Sequence, residues 1–221
     1  MKSKITDYNE IVKTFKDGMT IAVGGQCNHG SPNKLIECLL DSGVRHLTTV
    51  SLDAGDADIT IGKLIHAGMV DKMITSHIGK NVEAVALYAA GKLNIEFNPM
   101  GTVVERTRCA GAGLGGVLTK TGIGTIVEEG KQIIELNGER YILEPAIRPD
   151  ISITRCRKAD LIGNLTYHGT SFNSNPVFVM ASKLSIVEAD MIVEVGELSD
   201  DEIVTPSPYV DMILGQEVRF K

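Results

Sequence analysis

One stretch near the N-terminus restricts the folds open to this chain more than any other. The apolar run at residues 20–24 predicts a buried strand, which ends abruptly at Gly24 and Gly25. A third glycine, Gly30, precedes a segment at residues 32–42 with helical spacing of its apolar side chains. A strand, a glycine loop and a helix in this order form the first half of a β-α-β unit. Because ligands bind at the carboxyl ends of strands in such sheets, we expect this loop to be one wall of the functional site.

Short strands and helices continue to alternate through the first half of the chain. Further strands are predicted at residues 47–51, 70–76 and 93–97. Helices are predicted at residues 7–16, 32–42, 62–67, 81–91 and 102–109. We expect Thr6 to cap the first helix. The short intervals between these elements predict a parallel sheet with right-handed crossovers.

The middle of the chain has a different pattern. Residues 110–125 contain too many glycines for regular structure and predict a long ordered loop. Residues 131–135 and 139–143 are separated by Asn137-Gly138, and this dipeptide is a strong signal for a β-hairpin. We expect the hairpin to cover the α/β core or to form an interface.

The last third returns to alternating strands and helices. Residues 151–155 predict a strand, and residues 158–164 predict a turn. A helix is predicted at residues 176–184, and two short strands at residues 185–187 and 191–193. No linker or repeat divides the 221 residues, so we expect a single domain over the whole chain.

The composition argues against several classes of protein. A net charge of −6 provides no basic surface for nucleic acid or for an anionic membrane. No apolar run approaches the roughly 18 residues that span a bilayer, and the polar N-terminus lacks a signal-peptide pattern. The four cysteines are widely spaced without a CxxC pair, which favours a reduced, cytoplasmic protein.

Residue chemistry alone does not assemble a complete catalytic site. The glycine pattern matches neither the dinucleotide nor the P-loop motif, so glycines that only form a tight turn remain an alternative. Cys27 has no histidine partner that spacing identifies, and a buried, unreactive thiol is the commoner case. His29 and His77 both lie in strand-exit loops, where a hydrogen-bonded histidine is commoner than a catalyst.

Three aspartates crowd the loop after the second predicted strand, at positions 53, 56 and 58. Their spacing lacks the glycine turn and the distal glutamate of a calcium loop. A solvated acidic loop is therefore the preferred interpretation, and no metal is expected.

The stretch Asp17-Gly18-x-x-Ile21-Ala22-Val23-Gly24-Gly25-x-x-x-x-Gly30-x-Pro32 resembles the signature of the family I coenzyme A transferase alpha subunit. Shorter matches extend almost end to end: Ser76-His77-Ile78-Gly79, Gly101-Thr102, Gly111 to Gly116, Thr121 to Gly130, Lys158-Ala159-Asp160, Asn173, Asn175-Pro176 and Ile203 to Pro206. The resemblance implies a Rossmann-like, three-layer parallel sheet of the CoA-transferase/ribose-phosphate-isomerase-like type, with an inserted β-hairpin.

The resemblance also implies how the activity is divided between subunits. In this family a glutamate in a Ser-Glu-Asn-Gly sequence on the beta subunit forms a glutamyl-CoA thioester in a ping-pong cycle. The present chain contains no Ser-Glu-Asn-Gly. It is therefore expected to be active only with a beta subunit, in an α2β2 assembly. Coenzyme A enters as the thioester substrate, with no cofactor, and the carboxylic acids belong to the acetate, butyrate and acetoacetate class.

The same resemblance implies that this chain supplies the wall of the acyl and carboxylate pocket. The expected pocket residues are Gly24, Gly25, Gln26, Asn28, Gly30, Asp53, His77, Met100 and Gly101. Backbone N–H groups of the glycine loop are expected to face developing negative charge, as oxyanion donors do.

Three departures from the family pattern fall on strand-exit loops. Gln26 replaces the phenylalanine of the usual Gly-Gly-Phe, Met100 replaces the glutamine of Pro-Gln-Gly, and residues 51–56 replace an asparagine-containing loop. Our hypothesis is that the enzyme accepts a more polar acid, or one carrying an amine that faces Asp53 or Asp56.

Proteins of a second functional class share this kind of α/β core. Sugar-phosphate isomerases and the effector domains of sugar-responsive repressors would use the glycine loops to hold a phosphate. The acidic charge and the absence of a helix-turn-helix sequence before the core count against a repressor. A stoichiometric partner carrying Ser-Glu-Asn-Gly would favour the transferase.

Overall fold

The computed structural model describes residues 2–215. The strands are β1 (Ile5–Thr6), β2 (Thr20–Val23), β3 (Leu47–Val50), β4 (Val70–Thr75), β5 (Asn94–Phe97), β6 (Gly116–Thr119), β7 (Ile133–Leu136), β8 (Glu139–Pro145), β9 (Ile151–Asp160), β10 (Leu165–Thr166), β11 (Leu184–Val193) and β12 (Met212–Leu214). The α-helices are α1 (Tyr8–Val12), α2 (Asn33–Ser42), α3 (Gly62–His66), α4 (Val82–Ala89), α5 (Met100–Gly111) and α6 (Asn175–Ala181). Short 3-10 turns lie at Ile126–Glu128, Gly169–Phe172 and Ser207–Tyr209.

The main sheet places β2 at a point where the direction of winding reverses. Its strand order is β1-β12-β11-β9-β2-β3-β4-β5, all parallel, with β10 added antiparallel to β9. From β2 the chain passes through α2 to β3 on one side, and from β9 it passes through α6 to β11 on the other. The carboxyl ends of β2 and β9 therefore flank a crevice of the kind in which α/β proteins bind ligands. The predicted α/β class with a parallel sheet is confirmed.

Side chains alternate between the two faces of the sheet and bury helices on both. Ile21 and Val23 of β2 belong to a core cluster with α1, α2, α3 and α4. Ala22, between them, belongs to a cluster that contains Val103 of α5 and Phe178 of α6. The period of two along the strand thus produces the three layers that were predicted.

The predicted hairpin is confirmed, and it belongs to a small antiparallel sheet ordered β6-β8-β7. Asn137 and Gly138 have φ angles of 53° and 76°, the left-handed values that a two-residue hairpin turn requires. The prediction that residues 110–125 form only a loop is wrong, because β6 lies within them. A Cβ on Gly116 would lie 2.5 Å from the carbonyl oxygen of Glu144, so a glycine here allows β6 to approach β8.

The predicted N-terminal helix is longer than the observed one. The α1 helix ends at Val12, and Asp7 caps it by accepting a hydrogen bond from the backbone nitrogen of Glu10 at 2.9 Å. The predicted Thr6 cap is wrong, because Thr6 pairs with Leu214 in the sheet. That pairing joins the two ends of the described chain, which local sequence patterns do not indicate.

Two strands of the last third are longer than predicted. The gap between the two short strands predicted at residues 185–187 and 191–193 contains Glu188. Its buried carboxylate accepts hydrogen bonds from the backbone nitrogens of Lys34 and Leu35 at the start of α2. The strand therefore continues, in register with β9, from Leu184 to Val193. The predicted turn at residues 158–164 is wrong at its start, because β9 extends to residue 160.

None of the helices in residues 2–215 is long and apolar enough to cross a membrane. The single domain over residues 1–221 stays a prediction, since residue 1 and residues 216–221 lie outside the described residues.

Candidate functional site

The glycine loop after β2 is built around a tight two-residue turn. The backbones of Gln26 and His29 exchange hydrogen bonds in both directions, each 2.9 Å between nitrogen and oxygen. Cys27 and Asn28 lie between them with φ angles of 48° and 68°. These are the signs of a type I′ turn, in which glycine and asparagine are usual. Cys27 therefore occupies a strained backbone conformation at the tip of the loop.

Asn175, the first residue of α6, holds the glycine loop from across the crevice. Its Oδ1 accepts a hydrogen bond from the backbone nitrogen of Gly25 at 2.9 Å. Its Nδ2 donates to the carbonyl oxygens of Gly30 at 3.1 Å and of Arg155 at 2.8 Å. The side chain is fully buried, and a Cβ on Gly24 would lie 2.4 Å from Oδ1. Gly24 is thus required by close packing, whereas Gly25 and Gly30 have φ angles in the left-handed region.

The acidic loop after β3 also holds the turn. The carboxylate of Asp53 accepts hydrogen bonds from the backbone nitrogens of Cys27 and Gly55, both at 2.7 Å. Asn28 Nδ2 donates to Asp56 Oδ2 at 2.5 Å. The interpretation of this loop as solvated is wrong for Asp53, which is 6% exposed, because the two backbone donors compensate for its burial.

The two unusual side chains of the expected pocket, Gln26 and Met100, contact each other. Gln26 Nε2 lies 3.2 Å from Met100 Sδ at the start of α5. Asn173 Nδ2 donates to Gln26 Oε1 at 2.5 Å. Met100, Gly101 and Asn173 also line a cavity of about 780 Å³ between α5 and β6. Gln26 therefore joins the glycine loop to the wall of this cavity.

The backbone donors at the start of the glycine loop are already occupied. The N–H groups of residues 24–27 donate to the carbonyl oxygens of Ile153 and His29 and to the side chains of Asn175 and Asp53. Each of these four groups would first have to break an internal hydrogen bond before it could face developing negative charge, so they do not act as free oxyanion donors. For the rest of the loop, the expectation of oxyanion donors stays a prediction. The side chain of Gln26 is a better donor, since among residues 2–215 its Nε2 faces only a thioether, which is a weak acceptor.

Cys27, Asp53 and His77 come together from three neighbouring strand exits. The backbones of Asp53 and His77 form a parallel bridge just beyond β3 and β4. Each of the three side chains has one atom that could bind a metal, and these three atoms lie within 4.8 Å of one another. Sequence spacing did not identify His77 as the neighbour of Cys27, because only the strand order β2-β3-β4 makes these loops adjacent. His29, the other histidine of the loops, is exposed.

An ionic cluster holds α5, and with it the cavity wall, in place. Arg106 is 9% exposed, and its guanidinium donates to Glu96 Oε1 at 2.7 Å, to Asn98 Oδ1 at 2.8 Å and to the carbonyl oxygen of Pro145 at 2.8 Å. Burial by itself would raise the pKa of Glu96, but hydrogen bonds from Lys72 and Arg106 lower it to about 2. The helix is thereby tied to β5 and to the end of β8.

Comparison with known proteins identifies the family. The sequence matches the family profile described as coenzyme A transferase over residues 5–216. It is 45% identical over 220 residues to the acetate CoA-transferase subunit alpha of Escherichia coli (strain K12). The aligned region covers 99% of this chain and 100% of that protein. The chain belongs to the coenzyme A transferase family.

Other members of the coenzyme A transferase family agree with this assignment. The acetoacetyl-CoA:acetate/butyrate CoA transferase alpha subunit of Clostridium acetobutylicum is 42% identical over 214 residues, or 97% of this chain and 98% of that protein. The predicted resemblance is confirmed.

Two solved structures have the same fold. An acyl-CoA transferase from Escherichia coli O157:H7, solved as a thioester complex with CoA, superposes with a TM-score of 0.86 at 21% identity over 97% of this chain. The present chain spans 50% of the length of that one. Glutaconate coenzyme A-transferase from Acidaminococcus fermentans gives 0.83 at 21% identity, over 96% of this chain and 75% of that one. At 21% identity these two structures establish the fold alone, and that fold is the predicted one.

Sequence reasoning about this coenzyme A transferase missed two residues that shape its site. Asn173 and Asn175 contributed to the family resemblance but were not expected in the pocket. One signal could have identified Asn175: it directly precedes Pro176 at the start of a predicted helix. A polar side chain that does not cap its own helix there is free to bond to another part of the chain.

Proposed function

We propose that this chain is the alpha subunit of a heteromeric CoA-transferase that moves CoA between an acyl-CoA and a short-chain carboxylic acid. The observation that carries the proposal is the 45% identity to an acetate CoA-transferase alpha subunit across 99% of the chain. The absence of Ser-Glu-Asn-Gly from the sequence supports the assignment of the catalytic glutamate to a beta subunit. An α2β2 assembly and a cytoplasmic location remain predictions.

The proposed reaction proceeds in two half-reactions on the beta subunit's glutamate. Its carboxylate attacks the acyl-CoA carbonyl, which forms a glutamyl anhydride and releases the CoA thiolate. The thiolate then attacks the glutamyl carbonyl, which forms a glutamyl-CoA thioester and releases the first acid as its carboxylate. The second acid reverses these steps and leaves as the new acyl-CoA. Division into anhydride and thioester steps lowers the barrier for a carboxylate, which is a poor acyl acceptor.

The alpha subunit's part in this reaction is to form one wall of the acyl and carboxylate pocket. The proposed pocket residues are Gly24, Gly25, Gln26, Asn28, Gly30, Asp53, His77, Met100 and Gly101. Five of them belong to the glycine loop, and Met100 and Gly101 border the adjoining cavity. The hydrogen bonds to Asn175 and Asp53 keep the loop rigid, and a rigid wall holds an acyl group without reorganisation during the reaction.

The preference for a more polar acid is assigned to Gln26. The family resemblance implies an apolar side chain at position 26 and an amide at position 100, and in this chain the two chemistries are exchanged between contacting positions. The pocket therefore keeps one amide but presents it from the glycine loop. Asp53 is only 6% exposed, and Asp56 accepts a hydrogen bond from Asn28. The amide of Gln26, whose Nε2 faces the weak acceptor Met100 Sδ, is therefore the group best suited to a polar substituent.

The test is a CoA-exchange assay on the chain alone and after reconstitution with its beta subunit. We expect no exchange without the beta subunit and exchange with it; activity of the chain alone would contradict the proposed division of labour. Acids to compare are acetate, butyrate, acetoacetate and short hydroxy- and amino-acids. Acetoacetate as the best substrate by kcat/KM would refute the preference for a polar acid while leaving the transferase assignment intact.

The double variant Gln26→Phe with Met100→Gln tests the exchanged pair. We expect it to shift kcat/KM toward unsubstituted acids, with the two single variants non-additive because their side chains touch. His46→Gln is the matched control, since its ring pairs with Asp71 on the surface. An unchanged substrate preference in the double variant would mean that the pair does not contact the substrate.

A further inference from the structure

The cluster of Cys27, Asp53 and His77 has the composition and spacing of a metal site. Each residue offers one ligand atom, and these atoms lie within 4.8 Å of one another. Within residues 2–215, no hydrogen bond joins any two of the three side chains; the one bond between Cys27 and Asp53 starts from the Cys27 backbone nitrogen. The three side chains are close together but do not bond to one another, and ligands around a shared cation have the same arrangement.

We propose that these three side chains bind a divalent transition metal of the Zn²⁺ type. A thiolate, a carboxylate and an imidazole are ligands that zinc accepts, whereas Mg²⁺ and Ca²⁺ prefer sites built from oxygen alone. Tetrahedral zinc with bonds of about 2.0–2.3 Å separates its ligands by roughly 3.3–3.8 Å. The three ligand atoms lie within 4.8 Å of one another, and side-chain rotations of Cys27 and His77 can bring them to these separations.

The charges of the proposed ligands balance the ion. One thiolate and one carboxylate neutralise a divalent cation, and the imidazole binds in its neutral form. This balance matters because Asp53 is 6% exposed, and a buried net charge is unfavourable. Its two oxygens each accept one backbone hydrogen bond, which leaves a lone pair on each for a metal.

The backbone presents the three ligands before any metal is bound. Cys27 is held at the tip of the type I′ turn with a φ angle of 48°, a conformation that is unfavourable for a residue with a side chain. The Asp53–Cys27 hydrogen bond and the Asp53–His77 bridge fix the three loops relative to one another. Three protein ligands leave the fourth zinc position open, as in sites that bind water or a substrate carboxylate.

Metal binding to this chain can be measured without the beta subunit and without transferase activity. Co²⁺ is titrated into the full chain while thiolate-to-cobalt charge transfer and the visible d–d bands are recorded, and Zn²⁺ is then added as competitor. We expect one equivalent of Co²⁺ to give both signals and Zn²⁺ to abolish them. Absence of the charge-transfer band, or binding only at large excess, would show an adventitious ion and overturn the site.

Variants assign the ligands. Loss of a group that merely orients a ligand weakens metal binding about 10–100-fold, so Cys27→Ser and His77→Gln should each exceed that loss. His46→Gln, which removes an exposed histidine from another surface, should bind as the unmodified chain does. Equal affinity in Cys27→Ser and the unmodified chain would overturn the proposal.

A second measurement needs no variant and so is independent of folding defects. Cys27 is half-buried, whereas Cys38, Cys109 and Cys156 are buried. A thiol reagent should therefore modify one cysteine quickly in the native chain, and one equivalent of Zn²⁺ should slow that reaction. An unchanged rate in the presence of Zn²⁺ would contradict thiolate coordination.

Discussion

The close contact between Gly24 and Asn175 makes a quantitative prediction. An alanine Cβ at position 24 would lie 2.4 Å from Asn175 Oδ1 and 2.9 Å from its Cγ. Gly24 does not have a left-handed φ angle, so the backbone itself would accept alanine. The expected destabilisation therefore arises from displacement of one buried side chain, Asn175, and not from backbone strain.

The magnitude follows from what Asn175 does. Overpacking a buried site destabilises by about 1–3 kcal/mol, which is our expectation for Gly24→Ala. Asn175→Ala removes three hydrogen bonds, each contributing about 0.5–1.5 kcal/mol, so we expect a loss of roughly 2–4 kcal/mol. In the Asn175→Ala background the clash disappears, and Gly24→Ala should then be neutral or stabilising by about 0.4–1 kcal/mol.

The assay is equilibrium denaturation in urea, followed by circular dichroism, for the four members of this double-mutant cycle. Gly115→Ala is the matched control, since an added Cβ there meets no atom within 4 Å. We expect a coupling free energy of about 1–4 kcal/mol between positions 24 and 175, which is the difference between the effects of Gly24→Ala in the two backgrounds. If Gly24→Ala destabilises both backgrounds equally, within about 0.5 kcal/mol, the packing explanation is refuted.

Two further predictions concern the cavity wall and the small sheet. The pKa of Glu96 is lowered to about 2 in the folded protein. The stability that the ionised Glu96 contributes to the fold is therefore complete above about pH 4.5 and is lost as the pH falls toward 2. Glu96→Gln should therefore flatten the acid limb of the pH–stability curve, measured from denaturation midpoints, and a curve of unchanged shape would contradict this. Gly138→Ala should destabilise the hairpin by about 1–2 kcal/mol, because φ is 76° there. Denaturation midpoints measure this against Gly115→Ala, and equal stability of the two variants would contradict the left-handed turn.

Local patterns in the sequence were sufficient for most of the sheet. The apolar runs of β2, β3, β4 and β5 and the intervening helices were predicted within a few residues, because each is specified by its own periodicity. The hairpin was predicted from Asn137-Gly138, since that dipeptide adopts the required φ angles wherever it stands.

Strands that depend on partners far away in the sequence were not predicted. Strand β1 and strand β12 exist because they pair with each other and with β11, and Glu188 is accommodated in β11 because α2 offers it two backbone donors. A polar residue in a short apolar run indicates a break unless its distant partner is known.

The sequence by itself determined that a glycine loop follows a buried strand, that the chain resembles the CoA-transferases, and that Gln26 and Met100 are unusual. Only the tertiary structure decided that Gln26 and Met100 touch, that Asn175 holds the glycine loop from across the crevice, and that Cys27, Asp53 and His77 converge. The physical reason is the strand order: parallel strands bring their exit loops together at one edge, and the loops' sequence separation carries no information about which of them become neighbours.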